Sequence, residues 1–90
     1  NVRIGRNCIV AAHAGLSGSV RVGDGAMFGG RAGVIDHIDI GAGAKIAAGA
    51  CVFKDVPAAT MVSGFPARPS RQFLREMVWL EKNAMTKDKG

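Results

Sequence analysis

The sequence has few of the residues that mark several common protein classes. Its 90 residues include only two cysteines, which cannot build the multi-disulfide framework of a small secreted domain. Both fit the hydrophobic repeat described below, so we expect reduced thiols. CxxC, His-rich and P-loop patterns are absent. No apolar run reaches the ~18 residues of a membrane-spanning helix, and no signal-like segment occurs, which favours a soluble cytoplasmic protein.

Aromatic residues make up 6% of the chain and are not interleaved with its basic residues. The net charge is +5, and residues 64–90 hold six basic side chains against three acidic ones. No nucleic-acid-binding motif appears, so we expect no nucleic-acid partner. The basic C-terminal third fits either a solvated helix face or a landing site for an acidic protein.

What the sequence does contain is an apolar residue at every sixth position through most of its length. The nine residues in this register are Ile4, Val10, Leu16, Val22, Phe28, Val34, Ile40, Ile46 and Val52. Small or branched apolar residues follow each of them four positions later. Because an α-helix repeats at 3.6 residues and a strand at 2, a strict six predicts a β-helix built from hexapeptide repeats.

A β-helix of this kind has the shape of a triangular prism. Each hexapeptide forms one side of the prism, and three hexapeptides complete a coil of ~18 residues. The sequence therefore predicts an all-β unit over 1–57, with coils at 4–21, 22–39 and 40–57. Residues 18 apart would stack in columns, such as Val10, Phe28 and Ile46. The core would be one side chain deep and the ends would expose strand edges, so we expect further coils upstream and association into a trimer.

The repeat ends at Pro57, and the remaining residues predict two further segments. Residues 58–70 contain Gly64, Pro66 and Pro69, which favour a closing loop. Apolar residues at helical spacing then predict an amphipathic helix from 71 to about 85, with Ser70 as its N-cap, within a C-terminal segment 71–90. We expect the tail after 85 to be frayed.

Three stretches resemble the UDP-3-O-acylglucosamine N-acyltransferase family of lipid A biosynthesis. They run from Leu16 to Gly23, from Phe28 to His37 and, with most specificity, from Gly64 to Arg75. The resemblance covers residues 1 to about 80. It implies a left-handed parallel β-helix of three coils followed by a C-terminal α-helix, and a cytoplasmic homotrimer without a cofactor. It also implies transfer of a 3-hydroxyacyl chain from acyl carrier protein to the 2-amine of a nucleotide-sugar lipid substrate.

This reaction needs a general base, because a protonated ammonium cannot attack a thioester, and it needs donors for the tetrahedral oxyanion. The resemblance places the base in a His-Asn pair whose Asn matches Asn1. The base would therefore immediately precede Asn1, and we expect this chain alone to be inactive. A residue at that place would stack on Gly18, and the resemblance makes the Gly18 backbone N–H the oxyanion donor.

Two coils beyond Asn1 in the same column lies His37, with Ser19 between them. The resemblance implies that Asn1 and Ser19 contact substrate and that His37 orients it or makes a supporting polar contact. His13 belongs to another column, where we expect a solvated corner. A metal site across a trimer interface needs three suitably placed imidazoles, and the chain shows no such set, so we expect no metal.

The resemblance places the last coil and the start of the helix near the docking surface for acyl carrier protein. The basic residues concerned are Lys54, Arg68, Arg71 and Arg75. Cys51 and Phe53 are candidates for the groove that holds the acyl chain, although ordinary corner packing explains them equally well.

Three alternatives remain open at this stage. The sibling UDP-N-acetylglucosamine O-acyltransferase shares the prism but has a longer C-terminal helical bundle. A coenzyme-A-dependent sugar acetyltransferase has a similar closing segment, and the preferred acyl donor would distinguish it. A non-catalytic scaffold would tolerate changes at Gly18 and His37.

Overall fold

The computed structural model describes residues 1–85 of the chain. Nine two-residue strands form a parallel solenoid of about three coils. They are β1 Arg3–Ile4, β2 Ile9–Val10, β3 Gly15–Leu16, β4 Arg21–Val22, β5 Met27–Phe28, β6 Gly33–Val34, β7 Asp39–Ile40, β8 Lys45–Ile46 and β9 Cys51–Val52. The fold class predicted from the hexapeptide period is confirmed.

The strands stack into three sheets, one on each side of the prism. Their orders are β1-β4-β7, β2-β5-β8 and β3-β6-β9. The register pairs residues 18 positions apart, such as Arg3 with Arg21 and Gly15 with Gly33. Each residue that precedes an inward aliphatic therefore lies on an outer face, directly above its counterpart in the next coil.

The core consists of three columns of inward side chains, one from each sheet, as the period predicts. Phe28 and Ile46 are each 2% exposed, and Val52 is 1% exposed. In the first coil, Val10 of the same column as Phe28 and Ile46 is exposed, and so is Ile4 of the column of Val22, since no coil among residues 1–85 covers their outer side. Burial of this kind is the main stabilising contribution in a narrow solenoid.

The corners between the sheets use left-handed backbone conformations. Ser19 and His37 have φ values of 62° and 61°, and His13 has a φ of 62°. Glycines occupy equivalent corner positions elsewhere, for example Gly25. Among residues with side chains, Asn and His tolerate this conformation better than most, so a His at a corner has a local structural reason as well as a functional one.

The closing segment differs from the prediction of a loop over 58–70. Val56 forms a parallel bridge with Ile40, only 16 positions earlier, so the third coil is two residues shorter than the others. The period then resumes, because Val62 in β10 (Met61–Ser63) pairs with Ile46. A further strand, β11 (Arg68–Pro69), runs antiparallel to β10. The prediction that the repeat ends at Pro57 was wrong because the repeat shifts its phase by two residues.

The helix is confirmed, but its predicted N-cap is wrong. Helix α1 spans Ser70–Leu80 and continues as a π-helical turn over Glu81–Met85. Pro69 is the N-cap residue and no side chain caps the helix. The Ser70 hydroxyl is instead 2.6 Å from the Ser63 hydroxyl, which ties the helix start to β10. Neither helical segment is long and apolar enough to cross a membrane. The predicted frayed tail lies outside the described residues.

Candidate functional site

A concave surface of about 700 Å³ opens along one corner of the solenoid. It contains Asn1, Ser19 and His37, which successive coils bring to one edge as their spacing predicts. The left-handed corner conformation of Ser19 and His37 projects both away from the core. The complete lining is Asn1, Val2, Arg3, Ser19, Arg21, His37 and Asp39.

Gly18 lies at the same corner and is exposed. Its carbonyl accepts a hydrogen bond of 3.1 Å from the His37 N–H, whereas its own N–H donates to no group among residues 1–85. A methyl group built at Gly18 would meet nothing within 4 Å, and its φ is not in the left-handed region. The chain's own packing therefore does not require glycine there, and the N–H is open to a ligand.

A free corner N–H is not by itself a sign of function. Gly30 occupies the equivalent position at another corner, and its N–H also lacks an acceptor in the described part of the chain. Gly18 differs in its neighbourhood, because Ser19 and His37 at its corner line the polar cavity, although Gly18 itself is not one of the lining residues. His13 is exposed at a different corner and does not line that cavity.

Three charged residues of the cavity were missed by the sequence reasoning. Arg3, Arg21 and Asp39 are register partners on adjacent strands β1, β4 and β7. The Arg21 Nε lies 3.2 Å from an Asp39 carboxylate oxygen, in a pair whose side chains are 70% and 57% exposed. Each residue directly precedes an inward aliphatic of the repeat, which is the pattern that could have identified them as one outer column.

Cys51 and Phe53 do not line this cavity. Cys51 belongs to β9 in the β3-β6-β9 sheet, and Phe53 directly follows that strand. Gly33 and Gly15 precede Cys51 in its outer column, so no side chain of that column projects above the thiol. Phe53 packs edge-to-face on Phe65, with ring centroids 5.5 Å apart. Cys51 and Cys8 are both free, partly buried thiols.

The four basic residues at the C-terminal end fall into two groups. Lys54, Arg71 and Arg75 are exposed. Arg68 is engaged within the chain: its guanidinium donates to the Glu76 carboxylate at 2.7 Å and to the Pro66 carbonyl at 2.6 Å. It also lies 5.0 Å from the centroid of the Phe73 ring, at cation–π distance.

The Glu76 carboxylate completes this clamp between the closing segment and the helix. It accepts hydrogen bonds from the Gln72 amide at 2.9 Å and from Arg68. The Gln72 hydrogen bond, followed by the bond and charge of Arg68, lowers the pKa of Glu76 below its ordinary value of 4.5. The clamp is therefore formed by the ionised carboxylate.

Comparison with known proteins finds the same hexapeptide repeat and relatives that are named as acyltransferases. A model for the hexapeptide repeat of succinyl-transferase matches residues 19–54. The chain is 61% identical over 84 residues to a UDP-3-O-acylglucosamine N-acyltransferase of Caulobacter sp. (strain K31). It is 67% identical over 84 residues to the corresponding protein of Caulobacter vibrioides (strain NA1000 / CB15N). Both alignments cover 93% of this chain and 25% of the relative, so the chain spans about a quarter of their length.

Among solved structures, the chain is similar to a variant perosamine N-acetyltransferase from Caulobacter crescentus in complex with CoA and GDP-perosamine. The TM-score is 0.75 at 35% sequence identity, and the match covers 76% of this chain and 32% of that protein. The shared architecture is therefore one that acyltransferases use.

Proposed function

We propose that this hexapeptide-repeat chain, which is similar in sequence to the UDP-3-O-acylglucosamine N-acyltransferases, forms part of an enzyme of that activity in lipid A biosynthesis. The full-length protein would transfer a 3-hydroxyacyl chain from acyl carrier protein to the 2-amine of UDP-3-O-acylglucosamine. The observation that carries the proposal is 61–67% identity over 93% of the chain. The corner with Asn1, Gly18, Ser19 and His37 lies within it.

Each step of the acyl transfer would use a different group at this corner. A general base in the position before Asn1 removes a proton so that the neutral amine can attack the thioester carbonyl carbon. As the C–N bond forms, the free N–H of Gly18 donates to the developing oxyanion. The C–S bond then breaks, and the carrier thiolate leaves and takes up a proton. Asn1, Ser19 and His37 orient the sugar.

The acyl carrier protein, which supplies the acyl chain, would bind at the C-terminal end of the solenoid. Lys54, Arg71 and Arg75 offer exposed positive charge to an acidic carrier protein. Arg68 would act indirectly. Its guanidinium is already paired with Glu76, so it would hold the closing segment against the helix that carries Arg71 and Arg75. The column above Cys51, where Gly33 and Gly15 carry no side chain, would receive the acyl chain, with Phe53 beside it.

The proposed enzyme is a cytoplasmic homotrimer, and exposed apolar side chains support the association of its copies. Met27 and Met61 lie on the outside of the β2-β5-β8 side at 39% and 50% exposure. Helix α1 exposes Leu74 and Trp79 at 60% and 62%. Packing of three copies would cover these surfaces, as a narrow solenoid with a lone helix requires.

A second candidate is a coenzyme-A-dependent sugar N-acetyltransferase. It is favoured by the likeness to the Caulobacter crescentus perosamine enzyme, whose structure contains CoA and GDP-perosamine. The two candidates differ in donor, because one uses an acylated carrier protein and the other a free thioester.

The deciding experiment uses the full-length protein with UDP-3-O-acylglucosamine and two donors, 3-hydroxyacyl carrier protein and acetyl-CoA. Product formed from the carrier donor alone would support the first proposal. Product from acetyl-CoA alone would favour the second. Absence of product with either donor would contradict both.

A further inference from the structure

Two arginines are stacked directly on each other in the wall of the cavity. Arg3 of β1 and Arg21 of β4 are register partners in a parallel sheet, in which neighbouring strands lie ~4.8 Å apart. Both are exposed on the outer face and both line the cavity. Like charges directly opposite each other destabilise a sheet, so this arrangement has a cost unless an anion lies between them.

Within residues 1–85, an acidic side chain pairs with only one of the two arginines. Asp39 lies 3.2 Å from Arg21, whereas Arg3 forms no ion pair with any residue from 1 to 85. Both acidic residues near this column come after Arg21. Asp39 is its register partner, and the Asp55 carboxylate accepts a hydrogen bond of 2.9 Å from the Asp39 backbone N–H. The positive charge is therefore concentrated at the end of the column beside Asn1 and Ser19.

The other exposed arginines of the solenoid lack this arrangement. Arg6 precedes Asp24 in its column, and its backbone N–H donates to that carboxylate at 2.7 Å. Arg31 lies between His13 and Gly49 at another corner. Among the paired strands of the described residues, Arg3 and Arg21 are the one place where two basic residues are register partners.

We infer that Arg3 and Arg21 form a phosphate-binding subsite beside the reacting corner, with Arg3 as its main determinant. The planar guanidinium groups bind phosphate oxygens through paired, charge-assisted hydrogen bonds. Asp39 pairs with Arg21 at 3.2 Å and partly offsets its charge. This inference rests on the proposed function, in which two ligands bring phosphate to the cavity: the diphosphate of the sugar nucleotide and the phosphate of the carrier's pantetheine arm.

The first test measures binding of inorganic pyrophosphate to the full-length protein by calorimetry. Loss of one charge-assisted contact in Arg3→Gln is expected to weaken binding roughly tenfold. Arg31→Gln removes the same charge at another corner and is expected to bind as the wild type does. Asp39→Asn is expected to tighten binding, an opposite effect that general destabilisation would not produce. Equal binding by wild type and Arg3→Gln, or no binding by wild type at millimolar concentration, would overturn the inference.

The second test identifies the phosphate and separates this inference from the proposed function. A rise in KM of Arg3→Gln for the sugar nucleotide alone assigns the diphosphate, and a rise for the acylated carrier alone assigns the pantetheine phosphate. Unchanged KM values for both in an active enzyme would overturn the subsite. Absence of turnover by the wild type would contradict the proposed function, while the pyrophosphate measurement would still decide the subsite.

Discussion

The backbone N–H of His37 donates a 3.1 Å hydrogen bond to the carbonyl of Gly18. This bond joins the same corner of two successive coils, and the Gly18 N–H, which takes no part in it, has no acceptor in the described chain. The same type of bond recurs at other corners, for example from Gly25 to Arg6 and from Gly43 to Asp24. The solenoid itself therefore presents the free N–H, and the side chains around it decide whether that N–H has a use.

The first prediction concerns the space above Gly18. Gly18→Ala in the full-length enzyme adds a methyl group that the chain accommodates, because nothing lies within 4 Å. The methyl group would keep the substrate carbonyl from the N–H, so kcat should fall by roughly 100-fold, as for loss of an oxyanion donor. The melting temperature should stay close to that of the wild type.

The matched control for this prediction is Gly30→Ala. Gly30 occupies the equivalent corner position, and its added methyl group would lie at an ordinary contact distance of 3.7 Å from the Ala12 carbonyl oxygen. It should retain activity. Equal activity losses in the two variants would contradict an oxyanion role for Gly18.

The second prediction concerns the two histidines. His37→Asn keeps a residue that tolerates the observed φ of 61° but removes the imidazole. Loss of one polar contact to substrate should lower kcat/KM by about tenfold. His13→Asn makes the same change at a φ of 62°, away from the cavity, and should leave kcat/KM unchanged. Unchanged kcat/KM in His37→Asn would contradict a substrate contact and leave His37 with a structural role at the corner.

The third prediction concerns the core. Phe28 is 2% exposed and lies in register between Val10 and Ile46, so Phe28→Ala should reduce the free energy of unfolding by about 3–5 kcal/mol. Met27→Ala alters the preceding residue of the same strand, which is 39% exposed in the single chain, and should cost clearly less than Phe28→Ala even where the proposed trimer covers it. Urea unfolding of the full-length protein measures both. Similar losses would show that β5 does not alternate inward and outward as described.

Most of the fold could be predicted from the sequence because the hexapeptide period is strict from Ile4 to Val52. The prediction failed where the spacing changed: Val56 follows Val52 by only four positions, and a strict search for a spacing of six ends there. Pairing of Val56 with Ile40 and of Val62 with Ile46 is visible only in three dimensions.

The site was predictable in part for the same reason. The column of Asn1, Ser19 and His37 follows from the coil length, and the cavity contains all three. Arg3 and Arg21 follow from the same arithmetic but look like ordinary surface charge until Asp39 is seen to pair with only one of them. Ser70 has the residue type of an N-cap, but its hydroxyl is used by Ser63 instead.

The fourth prediction concerns the clamp between the closing segment and the helix. Its hydrogen bonds lower the pKa of Glu76 below 4.5, so the folded state favours the carboxylate. Its contribution to stability is therefore present above pH 4.5 and is lost as the pH falls through the lowered pKa. The protection factors of residues 64–76 against hydrogen exchange, which correct for the pH dependence of the intrinsic rate, should fall over that acid range in the full-length protein.

Glu76→Gln provides the comparison, because it removes the titrating group. Its exchange in this segment should already be faster above pH 4.5 and should change less on acidification than that of the wild type. Glu81→Gln removes an exposed carboxylate that forms no ion pair within residues 1–85 and should behave as the wild type does. Identical pH profiles in wild type and Glu76→Gln would contradict the clamp.

The measurement that tests the central proposal most directly replaces the residue before Asn1 by Ala in the full-length protein. N-acylation of UDP-3-O-acylglucosamine by 3-hydroxyacyl carrier protein is then compared with that of the wild type and of His37→Ala. We predict a loss of ~100-fold or more for the first variant, as expected for a general base, and a smaller loss for His37→Ala. Full activity of the first variant, or a larger loss in His37→Ala, would contradict the assignment of the base to the coil edge that Asn1, Gly18 and His37 share.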